Sequence, residues 1–248
     1  MALALARWFD PLLDLVFPAV CPVCLARSDD PARRPFCASC WVALPIGLEP
    51  GCSVCGEPFP GLAGLLPCDA CRRGPPPYAF ARAVARYQDG MREAIHALKY
   101  GRRPVLATPL GQLLAEAGPR ALPVPPEDWA DGLVPVPLHP ARLAERGFNQ
   151  AALLAAPCAA RWRLPVLERA LRRTRPTLPQ TDLDAEARRA NVRDAFRVLR
   201  PREVRDRRLL LVDDVLTTGA TVSAAARALR EAGATAVGVL TLARVAPR

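Results

Sequence analysis

Along residues 80–87 the sequence FARAVARY alternates apolar and polar positions with the period of two that a strand requires. The period then lengthens. Met91, Ile95 and Leu98 fall on one helical stripe in MREAIHALKYG, which stops at Gly101. LATPLGQLLAEAG continues the helical spacing, with Pro109 expected near the helix start, where its missing N–H costs least. GLVPVPL at 132–138 is a short apolar run and reads as a buried strand with its prolines near the end. HPARLAERGFNQAALLAAP then predicts a basic loop carrying Arg142, Arg146 and Gly147, followed by a helix that begins near Asn149. VLERAL and AFRVL read as strands on either side of RRTRPTLPQTDLDAEARRANV, which has no sustained apolar stripe and predicts a long basic loop.

The last quarter is the most regular. LLLV at 209–212 has the continuous apolar character of a central parallel strand. VSAAARALREAG places Val222, Ala225, Ala226 and Leu229 on one helical face and stops at Gly233, and AVGVLTLARV is the next strand. This is a βαβ unit, so the chain is of the α/β class with a parallel sheet flanked by helices. The segment from Asp213 to Thr221 falls at the carboxyl end of a strand, where open α/β sheets bind ligands.

The first 77 residues follow other rules. ALALARWFDPLLDLVFPAV is apolar but carries Arg7, Asp10, Asp14 and two prolines, which predicts an amphipathic helix over 1–20. It is neither a membrane span, which needs about 20 uninterrupted apolar residues, nor a signal peptide with ordered charged, apolar and small-residue regions. The reading is therefore a cytoplasmic protein without stable membrane insertion. Four CxxC pairs follow: CPVC (Cys21, Cys24), CASC (Cys37, Cys40), CSVC (Cys52, Cys55) and CDAC (Cys68, Cys71). Each knuckle turns two thiolates toward one ion, and two knuckles complete a tetrahedral sulfur shell. Gly56 suits the tight turn after CSVC. A disulfide framework is the alternative, but it belongs to secreted chains, and no export signal is present. Two structural zinc ions are expected; sequential and interleaved pairing both satisfy the spacing. GPPPY at 74–78 marks the boundary between a cysteine module over 21–73 and a domain over 78–248. Cys158 stands apart and reads as a buried small hydrophobe.

Charge divides along the same boundary. Residues 1–77 hold six arginines against seven acids, so the formal charge of +10 comes from the second domain. Between 161 and 208, 15 arginines face 7 acids. Such a surface suits phosphate-rich partners, although an arginine-rich chain with one lysine, Lys99, also reflects composition bias.

Candidate chemistry concentrates in LLLVDDVLTTGAT. Backbone N–H groups of TTGAT and the following helix N-terminus suit a phosphate dianion, and Gly219 lets the loop close. Asp213 and Asp214 repel that phosphate and instead need hydroxyl donors or a divalent cation. A ribose 5-phosphate unit meets both demands. VDD resembles a Walker B strand, but Lys99 is followed by Tyr100, so the Walker A lysine pattern is missing, and no GxGxxG is present.

LLLVDDVLTTGAT is similar to the phosphoribosyl pyrophosphate (PRPP) signature of type I phosphoribosyltransferases. The wider chain resembles the ComF family (ComFC/GntX-like proteins) in its four knuckles, LKYGRR at 98–103, LVPVPLHPARLAERGFNQ at 133–150, and a run from Gln180 through Leu183, Arg188 and Asn191 to Phe196. The resemblance implies a double zinc ribbon joined to a type I phosphoribosyltransferase-like domain. It implies that Asp213 and Asp214 contact the ribose hydroxyls, with Thr217, Thr218, Gly219, Ala220 and Thr221 holding the 5′-phosphate. It also implies a pyrophosphate loop with Arg142, Arg146, Gly147 and Asn149, a hood loop with Gln180, Arg188 and Asn191, and Mg2+ bound with PRPP. Its members are linked to DNA transformation, which makes single-stranded DNA and competence-machinery proteins expected partners. Turnover would displace pyrophosphate at ribose C1. A PRPP sensor or DNA- or protein-binding module without turnover is the alternative, because no base for an incoming nucleophile stands out, His139 being the nearer of two histidines. On sequence alone, amidating both Asp213 and Asp214 should abolish PRPP binding and leave the fold intact.

Overall fold

A computed structural model describes residues 19–28, 30, 33–47, 51–58, 66–175 and 194–245. The helix expected over 1–20 (apart from Ala19 and Val20) and the loop with Gln180, Arg188 and Asn191 lie outside the described residues. In chain order the elements used below are α1 (Ala38–Val42), α2 (Asp69–Arg73), β1 (Phe80–Arg86), α3 (Asp89–Tyr100), α4 (Ala107–Ala121), α5 (Pro126–Trp129) and β2 (Gly132–Pro135). They continue with α6 (Pro140–Arg146), α7 (Gln150–Trp162), β3 (Leu171–Arg173), β4 (Phe196–Val198), α8 (Pro201–Val204), β5 (Arg208–Leu216), α9 (Ala220–Glu231) and β6 (Ala236–Arg244).

The main sheet has the order β1-β6-β5-β2, all parallel, and β3 pairs antiparallel with β4. β5 and β6 are central and covered on both faces, which is why their sequences are nearly continuous aliphatic runs. Side chains alternate across the sheet. Leu210 and Val212 join one core with Met91, Ile95 and Leu98 of α3 and with residues of α4 and α7. Leu209 and Leu211 join a second core with Val222, Ala225, Ala226 and Leu229 of α9 and with the β3–β4 hairpin. α4 and α7 touch closely because Gly111 leaves room: a Cβ there would lie 2.8 Å from Pro157 Cγ. Trp162 Nε1 donates to Ala115 O at 3.1 Å across the same contact. Cys158 is fully buried there, its thiol against Leu154 O and Gly111 O, and burial pushes its pKa up to about 12.

Three expected elements differ in detail. β5 runs through both aspartates to Leu216, because Val215 and Leu216 resume the apolar pattern after the charged pair. The segment with Arg142 and Arg146 is helix α6 and not a loop; Pro140 opens its first turn and Gly147, at φ +83°, ends it. Strand structure near VLERAL begins only at Leu171, and Val166 makes a single parallel bridge to Leu133 that covers the outer edge of β2.

The cysteine module is docked on the sheet. β1 is an edge strand, and an unpaired edge invites association with other chains. Here the ribbons use it. Ala81 N–H donates to Val54 O at 2.7 Å, Gly47 N–H to Val84 O at 2.7 Å and Arg86 N–H to Pro45 O at 3.0 Å. Phe36 and Leu44 of the first ribbon enter the core of α3 and α4, while Val54 and Cys55 of the second pack on the opposite core. Arg82 and Arg244 complete the joint: Arg82 donates to Ser53 O at 2.8 Å, and Arg244 donates to Cys55 O and Glu57 Oε2, both at 2.8 Å. Gly56, at φ +72°, is forced by the same contact, since a Cβ would lie 2.4 Å from Ala81 O.

Candidate functional site

The eight knuckle cysteines gather into two sets, Cys21–Cys24–Cys37–Cys40 and Cys52–Cys55–Cys68–Cys71, each with all four sulfurs within 4.8 Å of one another. Sequential pairing is therefore the observed one, and all eight thiols are free of disulfides. Cys24 and Cys37 Sγ are 3.6 Å apart and Cys55 and Cys68 Sγ 3.8 Å. Zn–S bonds of about 2.3 Å in a tetrahedron require sulfur separations close to these. The amides of Val54, Cys55 and Cys68 donate to Cys52 Sγ at 3.2–3.4 Å. Burial opposes ionisation of Cys52, but those amides bring its pKa down to about 6. The Ser39 hydroxyl and the Cys40 amide do the same for Cys37, also to about 6. The donor set fits zinc.

The second constellation lies at the carboxyl edge of the sheet. Alternation along β5 sends Asp213 and Asp214 to opposite faces. Asp214 is 3% exposed on the α3 side, where Lys99 Nζ lies 2.7 Å from its Oδ1. Burial works against the Lys99 ammonium, yet Asp214, by charge and hydrogen bond, and Asp213 behind it hold its pKa above the ordinary lysine value. Asp213 is half-buried, and its Oδ1 accepts the Asp214 N–H at 2.9 Å. Burial and the Asp214 charge push the Asp213 carboxyl up to about 7, against the pull of Lys99, the Asp214 amide and Arg173.

After Leu216 the chain turns through Thr217, Thr218 and Gly219 into α9. Gly219 is the N-cap at φ +76°, a left-handed conformation that glycine adopts without strain. It brings no side-chain cap, and the first turn of α9 has no acidic residue. A helix start with no side-chain cap and no carboxylate suits an anion.

β2 lies beside β5, so α6 emerges at the same sheet edge. Its Arg142 shares an electrostatic field with Asp213 through Arg173 of β3: burial and then Arg142 depress the Arg173 pKa, and Asp213 opposes them. Arg146 is turned elsewhere, donating to Gln150 Oε1 at 2.6 Å with its guanidinium 5.7 Å from the Tyr100 ring centre. Asn149 caps α7, accepting from Ala151 N–H and donating to Val136 O, both at 3.2 Å. His139 caps α6 through Nδ1, and the His96 ring lies tilted against Tyr100, their centroids 4.7 Å apart. Asp213 and residues 217–221 thus follow one another at the carboxyl edge of the sheet, Arg142 and Asp213 both act on Arg173, and Arg146, Gly147 and Asn149 shape the adjoining turns. Lys99 and Arg173 were not foreseen. Lys99 stood out only as the single lysine, inside LKYGRR.

A parallel α/β sheet with an acidic strand end running into TTGAT, joined to two four-cysteine clusters, defines a phosphoribosyltransferase-type domain bearing a double zinc ribbon. Residues 12–72 match the double zinc ribbon domain and residues 150–247 the phosphoribosyl transferase domain. The DNA utilization protein YhgH of Escherichia coli (strain K12) is 36% identical over 221 residues, covering 84% of this chain and 96% of that protein. Competence protein F of Haemophilus influenzae is 29% identical over 214 residues, covering 86% of this chain and 92% of that one. The chain belongs to the ComF family. A solved glutamine PRPP amidotransferase from B. subtilis aligns at 25% identity with a TM-score of 0.34, over 61% of this chain and 27% of its own.

Proposed function

We propose that this chain binds PRPP at the carboxyl edge of β5 and serves in the uptake or utilisation of DNA. The observation that carries the first part is the Gly219 turn: a helix start with no side-chain cap and no first-turn acid directly follows a strand that carries Asp213 near its carboxyl end. The amides of 217–221 would take the 5′-phosphate, and Asp213 would accept hydrogen bonds from the ribose hydroxyls. Arg142 and Arg173 would lie toward the pyrophosphate. The phosphate and hydroxyl oxygens of PRPP offer the hard donors that Mg2+ prefers, and the ion would supply positive charge to the pyrophosphate. Binding without turnover is the alternative, because no base for an incoming nucleophile stands out among the described residues, His139 serving as a helix cap and His96 lying against Tyr100.

Calorimetry with the zinc-loaded chain and Mg2+ tests the site. Asp213→Asn is expected to weaken PRPP binding at least tenfold, since charged hydrogen bonds are worth about 1.5–3 kcal/mol. Wild-type affinity should also fall as pH drops through about 7, where Asp213 takes up its proton, and the variant should lack that dependence. Undiminished affinity in Asp213→Asn removes the assignment. Incubation of labelled PRPP with bases or DNA, followed for pyrophosphate release, separates turnover from binding.

The DNA part rests on the ComF relatives and on the β3–β4 hairpin. Arg172 and Arg197 lie directly opposite each other there, both exposed. Like charges across a ladder repel, and an anion between them relieves that. Exposed Arg169, Arg200, Arg202 and Arg205 lie close in sequence to the hairpin. Single-stranded DNA is expected to bind with an affinity that falls steeply with salt, and Arg172→Ala with Arg197→Ala should flatten the log–log slope by about 1–2. An unchanged slope places the DNA elsewhere.

A further inference from the structure

The Lys99–Asp214 pair has no part in the function proposed above, and its position calls for one. It lies at the sheet edge where the ligand binds, next to a second carboxylate, and joins α3 to β5. Burying an ion pair gives little net stability, because lost hydration offsets the attraction. This pair is also imperfect: Asp214 Oδ2 is buried with no hydrogen-bond partner among the described residues. An ion pair kept only to hold two elements together would be expected to fill that lone pair. The chain otherwise writes its basic residues as arginine, 33 times among 34, and places its single ammonium here. An ammonium is a compact point charge that fits against one carboxylate oxygen, where a planar guanidinium needs a wider fork.

We infer that Lys99 is a positioning residue of the sugar-phosphate site, which cancels the charge of Asp214 so that a polyanion can approach Asp213. The inference rests on the PRPP reading given above. PRPP carries phosphate groups at both ends of the sugar and must settle beside two adjacent carboxylates. With both charges uncompensated, the repulsion at such short range and in a partly dry site costs several-fold to about a hundredfold in affinity. With Lys99 in place the pair carries one net negative charge. Asp213 stays available to the sugar, and Asp214 is fixed in orientation by a 2.7 Å contact. Lys99 thereby acts through Asp214 and not on the ligand.

A double-mutant cycle on the full zinc-loaded chain tests this, with PRPP and ribose 5-phosphate as titrants and inorganic phosphate as a probe of the 217–221 loop. Lys99→Met is expected to weaken PRPP binding about 10–100-fold, ribose 5-phosphate less, and inorganic phosphate within twofold. Lys99→Arg, which keeps the charge, should recover part of the loss. In an Asp214→Asn background, Lys99→Met restores an uncharged pair, so the double variant should bind PRPP within about threefold of wild type. A double variant as weak as Lys99→Met alone would mean that Lys99 contacts the ligand directly and would overturn the inference. So would a Lys99→Met protein with wild-type PRPP affinity. If Lys99→Met alone fails to fold, the comparison of wild type with Asp214→Asn/Lys99→Met still decides, since neither leaves an unpaired buried charge at that position. A wild-type chain that binds no PRPP would sink the parent reading, and this one with it, at the first titration.

Discussion

Stripping zinc from the reduced chain is expected to unfold the phosphoribosyltransferase half together with the ribbons, in one transition. A structural zinc site of four thiolates contributes an apparent binding energy of about 10–16 kcal/mol near neutral pH, as large as the whole stability of an ordinary domain, about 5–15 kcal/mol. A tethered module would melt alone. This one cannot, because Phe36 and Leu44 complete the core over α3 and α4, and Val54 and Cys55 complete the other. Loss of the ribbons would open both hydrophobic cores and expose the edge of β1, whose groups are now bonded to Val54, Gly47 and Pro45. Circular dichroism during chelator titration is the measurement, with elemental analysis expected to give about two zinc ions per chain. Cys52→Ser or Cys71→Ser should mimic chelation of the second site. A chelated chain that keeps its far-ultraviolet spectrum and its PRPP affinity would show that the ribbons are dispensable to the fold.

The second large effect concerns Asp214. Asp214→Asn is expected to lower stability by about 3–5 kcal/mol, the cost of leaving a buried partner charge uncompensated, here Lys99 at the 4% exposed carboxylate. Asp213→Asn should cost little, since Asp213 is half-buried and burial already raises its pKa to about 7. Urea unfolding of the two single variants reads the difference directly. Lys99→Met with Asp214→Leu, which replaces the pair by apolar groups of similar size, should recover most of the stability lost in Asp214→Asn. Equal destabilisation by Asp213→Asn and Asp214→Asn would contradict the structure. The expectation that both aspartates can be amidated without harm to the fold is thereby revised: the sequence presents them as an equivalent pair, and strand alternation makes one an interior residue.

That revision illustrates what was legible and what was not. The βαβ unit around TTGAT, the helical stripes of α3 and α9, and the four knuckles could be read directly, because each depends on local spacing that one element satisfies alone. Gly56, Gly219 and Gly233 all adopt positive φ, at turns where glycine was expected. What local spacing could not supply was pairing across the fold. Spacing left the cysteine connectivity open, and only the packing of the knuckles closed it. Lys99 meets Asp214 across a long stretch of chain, and no periodicity announces that. The same holds for Arg82 and Arg244, which looked like polar positions in two strands and are the clasps of the second ribbon. GPPPY gave the impression of a spacer, since proline runs do so in isolation; the contacts on either side of it determine the actual relation.

The strand order β1-β6-β5-β2 puts the two latest-made strands in the middle. A nascent chain therefore exposes β1 and both ribbons long before β6 exists to receive them, and Arg244, which clasps Cys55, is made 189 residues after it. Early-made pieces must wait as separate, half-finished surfaces, vulnerable to wrong partners in the interval. Metal capture by the knuckles during translation would give the front of the chain a local order to keep while its seat is still being synthesised.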